Sequence, residues 1–208
     1  MRRSKLVLAL VLATTALVSA EERVLFAAGC FWSVEIAFQR VPGVLRTAVG
    51  YCGGDKQKPK YHDVTTGRTG HAETVEVVYD PEQVSLQRLV DLFWQLHDPT
   101  TINRQGGDVG TQYRSAIWYT TAAQRTAIDA SKAALPESLQ TKVVTQIEKE
   151  PVGFIWEPAE TYHRKSAAIR TRGTPCPGRA RVLTASAITA ARQKDTSKRT
   201  GRTEPRAR

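Results

Sequence analysis

Arg23-Val24-Leu25-Phe26-Ala27-Ala28-Gly29-Cys30-Phe31-Trp32-Ser33-Val34-Glu35 passes from a strand pattern to a helix pattern across a single thiol. The apolar run from Val24 to Ala28 has strand length. Beyond Cys30, Phe31, Val34, Glu35 and Phe38 recur at helical spacing until Pro42-Gly43 stops the pattern. A cysteine in the first turn of a helix lies among unpaired N–H groups at the positive end of the helix dipole, and both favour thiolate over thiol. Cys30 is therefore a candidate nucleophile. A buried structural cysteine fits the same local pattern equally well.

The chain has 208 residues, 41% hydrophobic and 24% charged, enough for one globular domain with a proper core. Residues 1–20 stand apart from that domain. Arg2, Arg3 and Lys5 form a basic start, Leu6 to Val18 an apolar stretch, and Val18-Ser19-Ala20 a small-residue cleavage site, which together predict a signal peptide and export. An uncleaved anchor is the alternative, and the stretch falls short of the ~20 apolar residues of a spanning helix, so no stable membrane span is expected.

The net charge of +10 invites a nucleic-acid reading until its location is checked. From Arg179 to Arg208 nine Lys and Arg face only Asp195 and Glu204, and the leader supplies the rest of the excess. Residues 21–178 are balanced. The segment 179–208 has no aromatic residue and little to bury, so it reads as a disordered basic tail without a specific nucleic-acid partner.

Within 21–178, strand and helix signals alternate. Thr47–Tyr51, Thr74–Tyr79, Arg114–Tyr119 and Val143–Ile147 read as further strands. Ser85 caps a helix over Leu86–Leu96, whose Leu86, Leu89, Val90, Phe93 and Trp94 make one apolar stripe. Ala122–Leu135 and Pro158–Ile169 read as two more helices. The order predicts an α+β fold, a two-layer sandwich of split βαβ (ferredoxin-like) type. Two polar loops, Cys52–Gly70 and His97–Tyr113, are longer than connection requires and are read as functional.

Five blocks in order carry a resemblance: Gly29-Cys30-Phe31-Trp32, Gly50-Tyr51-x-Gly53-Gly54, Thr69-Gly70-His71-Ala72-Glu73, His97-Asp98-Pro99 and Gly110-Thr111-Gln112-Tyr113-Arg114-Ser115. Together they resemble the A-type peptide methionine sulfoxide reductases over roughly residues 24–176. The resemblance implies a two-layer α+β sandwich and the reduction of methionine S-sulfoxide, in proteins or free. Cys30 is then the nucleophile and Glu73 the acid, a carboxyl whose partial desolvation keeps its proton available near neutral pH. Phe31 and Trp32 wall the methyl pocket. Tyr61, Asp108 and Tyr113 form the polar shell around the sulfoxide oxygen. Read without the resemblance, Glu73 is a solvated strand-end carboxylate and the tyrosines are ordinary loop residues.

Attack by Cys30 leaves a sulfenic acid that condenses with a second thiol. Cys176, flanked by Gly173, Pro175, Pro177 and Gly178 in a segment where family members often carry a cysteine, is the first candidate resolving residue. Cys52, at a strand end, competes with it. A thioredoxin-type dithiol is the implied reductant, a monomer is expected, and cysteines without metal-ligand spacing imply no metal or other cofactor. Ser33 departs from the family's usual Gly, and Arg164-Lys165-Ser166-Ala167-Ala168 from its usual pattern after His163. The competing functional class is a catalytically lapsed binding module with a basic anchoring tail; intact Cys30 and Glu73 argue against it.

Overall fold

Strand β1 (Glu22–Ala28) is buried at five consecutive positions, Val24 to Ala28, as a strand covered on both faces must be. The computed structural model in which this is seen describes residues 20–151 and 153–164. The leader through residue 19, the basic tail and Cys176 lie outside the described residues.

After β1 come α1 (Phe31–Phe38), β2 (Val44–Cys52), α2 (Tyr61–Thr65), β3 (Ala72–Tyr79) and α3 (Leu86–Leu96). A two-residue hairpin follows, β4 (Arg104–Gln105) with β5 (Asp108–Val109), then a 3-10 turn over Thr111–Tyr113 and β6 (Ser115–Tyr119). The chain continues through α4 (Ala122–Ala133), α5 (Glu137–Gln140), β7 (Gln146–Lys149), β8 (Trp156–Pro158) and α6 (Thr161–Arg164).

The main sheet runs β7-β6-β1-β3-β2-β8. Strand β3 lies antiparallel to both β1 and β2, which are therefore parallel to each other and split by it. With β6 antiparallel on the far side of β1, the four central strands have the split βαβ order the sequence predicts. Strands β7 and β8 extend the two edges.

Alternation along the strands sorts their side chains into two layers. Val24, Phe26, Val49, Tyr51, Val75 and Val77 point to the face covered by Phe31, Val34 and Phe38 of α1 and Leu89, Val90 and Phe93 of α3. Phe26 stacks between Phe38 and Phe93, with ring centroids 4.7 and 5.2 Å away. The other face holds Leu25, Ala27, Cys52, Ala72, Ala116 and Trp118, covered by Phe154 and Trp156. Ser85 caps α3 as predicted, accepting from the Arg88 N–H at 3.2 Å.

Two predicted elements move. The strand expected over Val143–Ile147 forms at Gln146–Lys149, because Lys142 and Val143 still close the turn after α5 and the Val144 N–H is bonded to the Pro99 carbonyl at 2.9 Å. The helix expected to start at Pro158 begins at Thr161; Trp156–Pro158 pairs with β2 instead, placing Pro158 on an edge strand, where its missing N–H costs no ladder bond.

Candidate active site

Gly29 makes the turn that ends β1. Its φ of +88° is one L side chains rarely adopt, and a Cβ there would lie 2.7 Å from the side chain of Gln105. Gln105 in turn clasps Asp98 in both directions: its amide oxygen accepts the Asp98 N–H and its NH2 donates to the Asp98 carbonyl, each at 3.1 Å. The loop after α3 is thus braced directly behind the thiol. Cys30 is half-buried and is the N-cap residue of α1, one position before the first turn in which the sequence places it.

Glu73, on β3, is 2% exposed, and its Oε2 accepts the N–H of Phe31 at 3.1 Å. The carboxyl is therefore seated at the helix start, one residue from the thiol. Burial pushes it up to about 7, with the Phe31 N–H opposing and the Asp108 charge adding to the rise. At neutral pH such a group carries a transferable proton much of the time, unlike the solvated carboxylate that composition alone would favour.

Tyr61 begins α2, and Tyr113 ends the 3-10 turn at the far end of the second long loop. Both phenols are pushed above the ordinary range, first by burial and then by the charges of Glu73, Cys30 and Asp108. Asp108 is itself raised by burial. Two loops separated in sequence thereby bring their polar groups to one thiol. A bond from the Thr111 hydroxyl to the Gly67 carbonyl, 3.0 Å, ties the loops together.

Phe31 is buried and Trp32 half-buried, with ring centroids 5.9 Å apart. The sequence reading did not give this wall a third member. His163 packs its ring 5.3 Å from each of them and 4.5 Å from Tyr61. Its signal was the Glu160-x-x-His163 spacing, which puts both side chains on one side of a helical turn.

The remaining motif histidines are structural. His71 accepts the Gly54 N–H through Nδ1 at 3.3 Å and donates from Nε2 to the Lys56 carbonyl at 2.8 Å, locking the first long loop. His97 donates from Nδ1 to the Phe93 carbonyl at 2.9 Å, so its Nε2 accepts from Ser115 at 2.7 Å. Burial pushes its ring down to about 4, and it stays neutral at ordinary pH.

Cys52 is fully buried on the sheet face opposite Phe31 and Tyr51, and its thiol donates to Thr74 Oγ1 at 3.3 Å. Burial pushes it up to about 12. A thiol so held neither ionises readily nor faces Cys30.

A half-buried thiol at a helix start, an acid that keeps its proton, phenol donors and an aromatic wall define a cysteine-based oxidoreductase on an α+β sandwich. Residues 22–194 match the family model described as peptide methionine sulfoxide reductase. Peptide methionine sulfoxide reductase MsrA of Methanoculleus marisnigri is 53% identical over 154 residues, 73% of this chain and 92% of that protein. The MsrA of Methanothermobacter thermautotrophicus is 53% identical over 146 residues, 69% of this chain and 85% of that one. Among solved structures, methionine sulfoxide reductase A of Corynebacterium diphtheriae superposes with a TM-score of 0.66 at 36% identity, over 76% of this chain and 78% of that one. Reduced Mxr1 of Saccharomyces cerevisiae gives 0.68 at 31% identity, over 77% and 92%. The chain belongs to the peptide methionine sulfoxide reductase family, A type, and is a thiol-dependent methionine sulfoxide reductase.

Proposed function

We propose that Cys30 attacks the sulfoxide sulfur while Glu73 gives its proton to the oxygen, with Tyr61 and Tyr113 donating hydrogen bonds to that oxygen and Phe31 and Trp32 holding the S-methyl group. The observation that carries the assignment is the Glu73 carboxyl, buried, proton-retaining and bonded to the N–H of the residue after Cys30. As the sulfur–oxygen bond breaks, negative charge builds on oxygen, and donors already aimed there stabilise it without reorganising. The balance is one thiolate, one sulfoxide and one proton giving methionine and a Cys30 sulfenic acid. The cysteine sulfur loses two electrons and the substrate sulfur gains them. Asp108 raises the Glu73 carboxyl and so helps keep its proton in place.

A second thiol then condenses with the sulfenic acid, releasing water and forming a disulfide. Cys176 is assigned this step, supported by the burial of Cys52 on the wrong face of the sheet. A thioredoxin-type dithiol returns the disulfide to two thiols by exchange. The substrate is the S epimer, in proteins or free. Export rests on the basic, apolar and small-residue pattern of residues 1–20. Since Cys30, Glu73, Tyr61, Asp108 and Tyr113 all come from one chain, a monomer suffices. The test is a coupled assay with each sulfoxide epimer on the wild type and Cys30→Ser. Turnover confined to the S epimer and lost in the serine variant is expected; activity retained by Cys30→Ser refutes the nucleophile.

A further inference from the structure

Glu160 is half-buried between two tyrosines that share no element. Its Oε2 accepts the Tyr51 hydroxyl at 2.9 Å, and its Oε1 accepts the backbone N–H of Tyr61 at 3.0 Å. Glu160 is itself set by strand pairing: β8 lies on β2 through Gly50–Pro158 and Tyr51–Glu157, and the Ala159 N–H reaches the Val49 carbonyl at 2.9 Å. On the other side of β2, Tyr51 is the cross-strand partner of Glu73. One carboxylate therefore connects the strand pair that carries the acid to the short helix that carries a phenol.

That connection matters because α2 is only five residues long. A helix of one turn has no stability of its own, so its placement is decided by what ties it down. Its ties are Val64 in the core, Asp63 paired with Lys56 at 2.7 Å and bonded to the Lys60 N–H, and Glu160. The Glu160 bond holds the Tyr61 backbone, while the His163 ring packs 4.5 Å from the phenol ring itself. Burial pushes the Glu160 carboxyl up, but the N–H groups and the Tyr51 hydroxyl outweigh it and leave it below the ordinary carboxylate range, as an acceptor of several bonds should be.

We propose that Glu160 is a positioning residue for the reduction step, tying the helix that carries the Tyr61 phenol to Tyr51, the strand partner of Glu73, and so keeping that phenol aimed at the oxygen that Glu73 protonates. The proposal rests on the assignment of Tyr61 as an oxygen donor. It makes Glu160 distinct from a residue that merely supports the fold, because its effect on rate must pass through one phenol.

The test uses methionine released in a single turnover of the full chain, in two backgrounds. With Tyr113→Phe the Tyr61 phenol is left as the remaining phenolic donor, and Glu160→Ala should slow release by about 10-fold or more, toward the ~10²-fold cost of losing an oxyanion donor. With Tyr61→Phe the oxygen donor that Glu160 positions is gone, and the same change should cost less than about 2-fold on the non-additivity expected of coupled groups. Glu160→Gln retains an oxygen for the Tyr61 N–H and should restore most of the rate, which also serves if the alanine variant folds poorly. Equal losses in the two backgrounds, or none in either, overturn the proposal. A Tyr61→Phe, Tyr113→Phe double variant as fast as the wild type would instead remove the phenols from the mechanism, and the proposal with them.

Discussion

Replacing Glu73 with glutamine separates the carboxyl's proton from its shape. The glutamine oxygen can still accept the Phe31 N–H, so the Cys30 turn should be undisturbed while the acid is gone. With the wild-type carboxyl raised to about 7, half of it is protonated at pH 7 and about a tenth at pH 8. Above that the wild-type rate should show a limb falling about tenfold per pH unit as the Glu73 carboxyl loses its proton. The variant should lack this limb and run about 10²–10⁴-fold slower near neutrality.

The same shift makes a second, independent claim about stability. Glu73 is raised above its unfolded value of 4.5, so its contribution is complete below that pH and is lost as pH rises through about 7. At about 1.4 kcal/mol per pH unit, ionising the buried carboxyl costs the fold on the order of 3 kcal/mol. Urea titrations at pH 4.5 and pH 9 should therefore show the wild type losing stability that Glu73→Gln keeps. Single-turnover methionine release across pH 5–9 reads the catalytic half. A variant that matches the wild-type rate refutes the acid assignment, and a wild type no less stable at pH 9 relative to the variant refutes the burial argument.

Cys52→Ser should leave multiple turnover within about 2-fold of wild type, because that thiol is buried and unionised; Cys176→Ser should release about one methionine per chain and then stall with a thioredoxin-type donor. A Cys30–Cys52 disulfide in the mass spectrum of the intact enzyme after one turnover would overturn both. His97 has a folded value of about 4 against an ordinary 6.5, so its contribution is present above 6.5 and falls away as pH drops through about 4, roughly 3 kcal/mol in all; denaturant midpoints at pH 7 and pH 4.5 should differ less in His97→Gln than in the wild type. Gly29→Ala must accept a φ of +88° and a Cβ against Gln105, and should lower the melting temperature and, by displacing Cys30, the single-turnover rate by about tenfold or more.

What the sequence displays is what repeats or what chemistry demands. α1 and α3 are legible because their apolar residues recur at helical spacing, β1 because its apolar run has strand length and is buried throughout, and Cys30 because a thiol at a strand-to-helix junction is read locally, whereas Glu73 is legible as the acid only through the family resemblance. The shift of the expected Val143–Ile147 strand has the opposite origin: its start is decided by the bond from Val144 to Pro99, a contact between segments that local pattern does not see. The five-residue α2 escapes notice for the same reason, since it is held by its ties and not by its own propensity. Cys52 shows where the limit lies. Strand periodicity dictates that Tyr51 and Cys52 face opposite ways, but which of the two faces carries the site is settled only when α1 lies down on one of them. Glu160 lies 99 residues from the amide it holds and 109 from the hydroxyl. A nucleophile can be recognised by its neighbours in the chain, whereas a residue that aims another is defined by a distance, and that distance exists only once β8 has closed on β2.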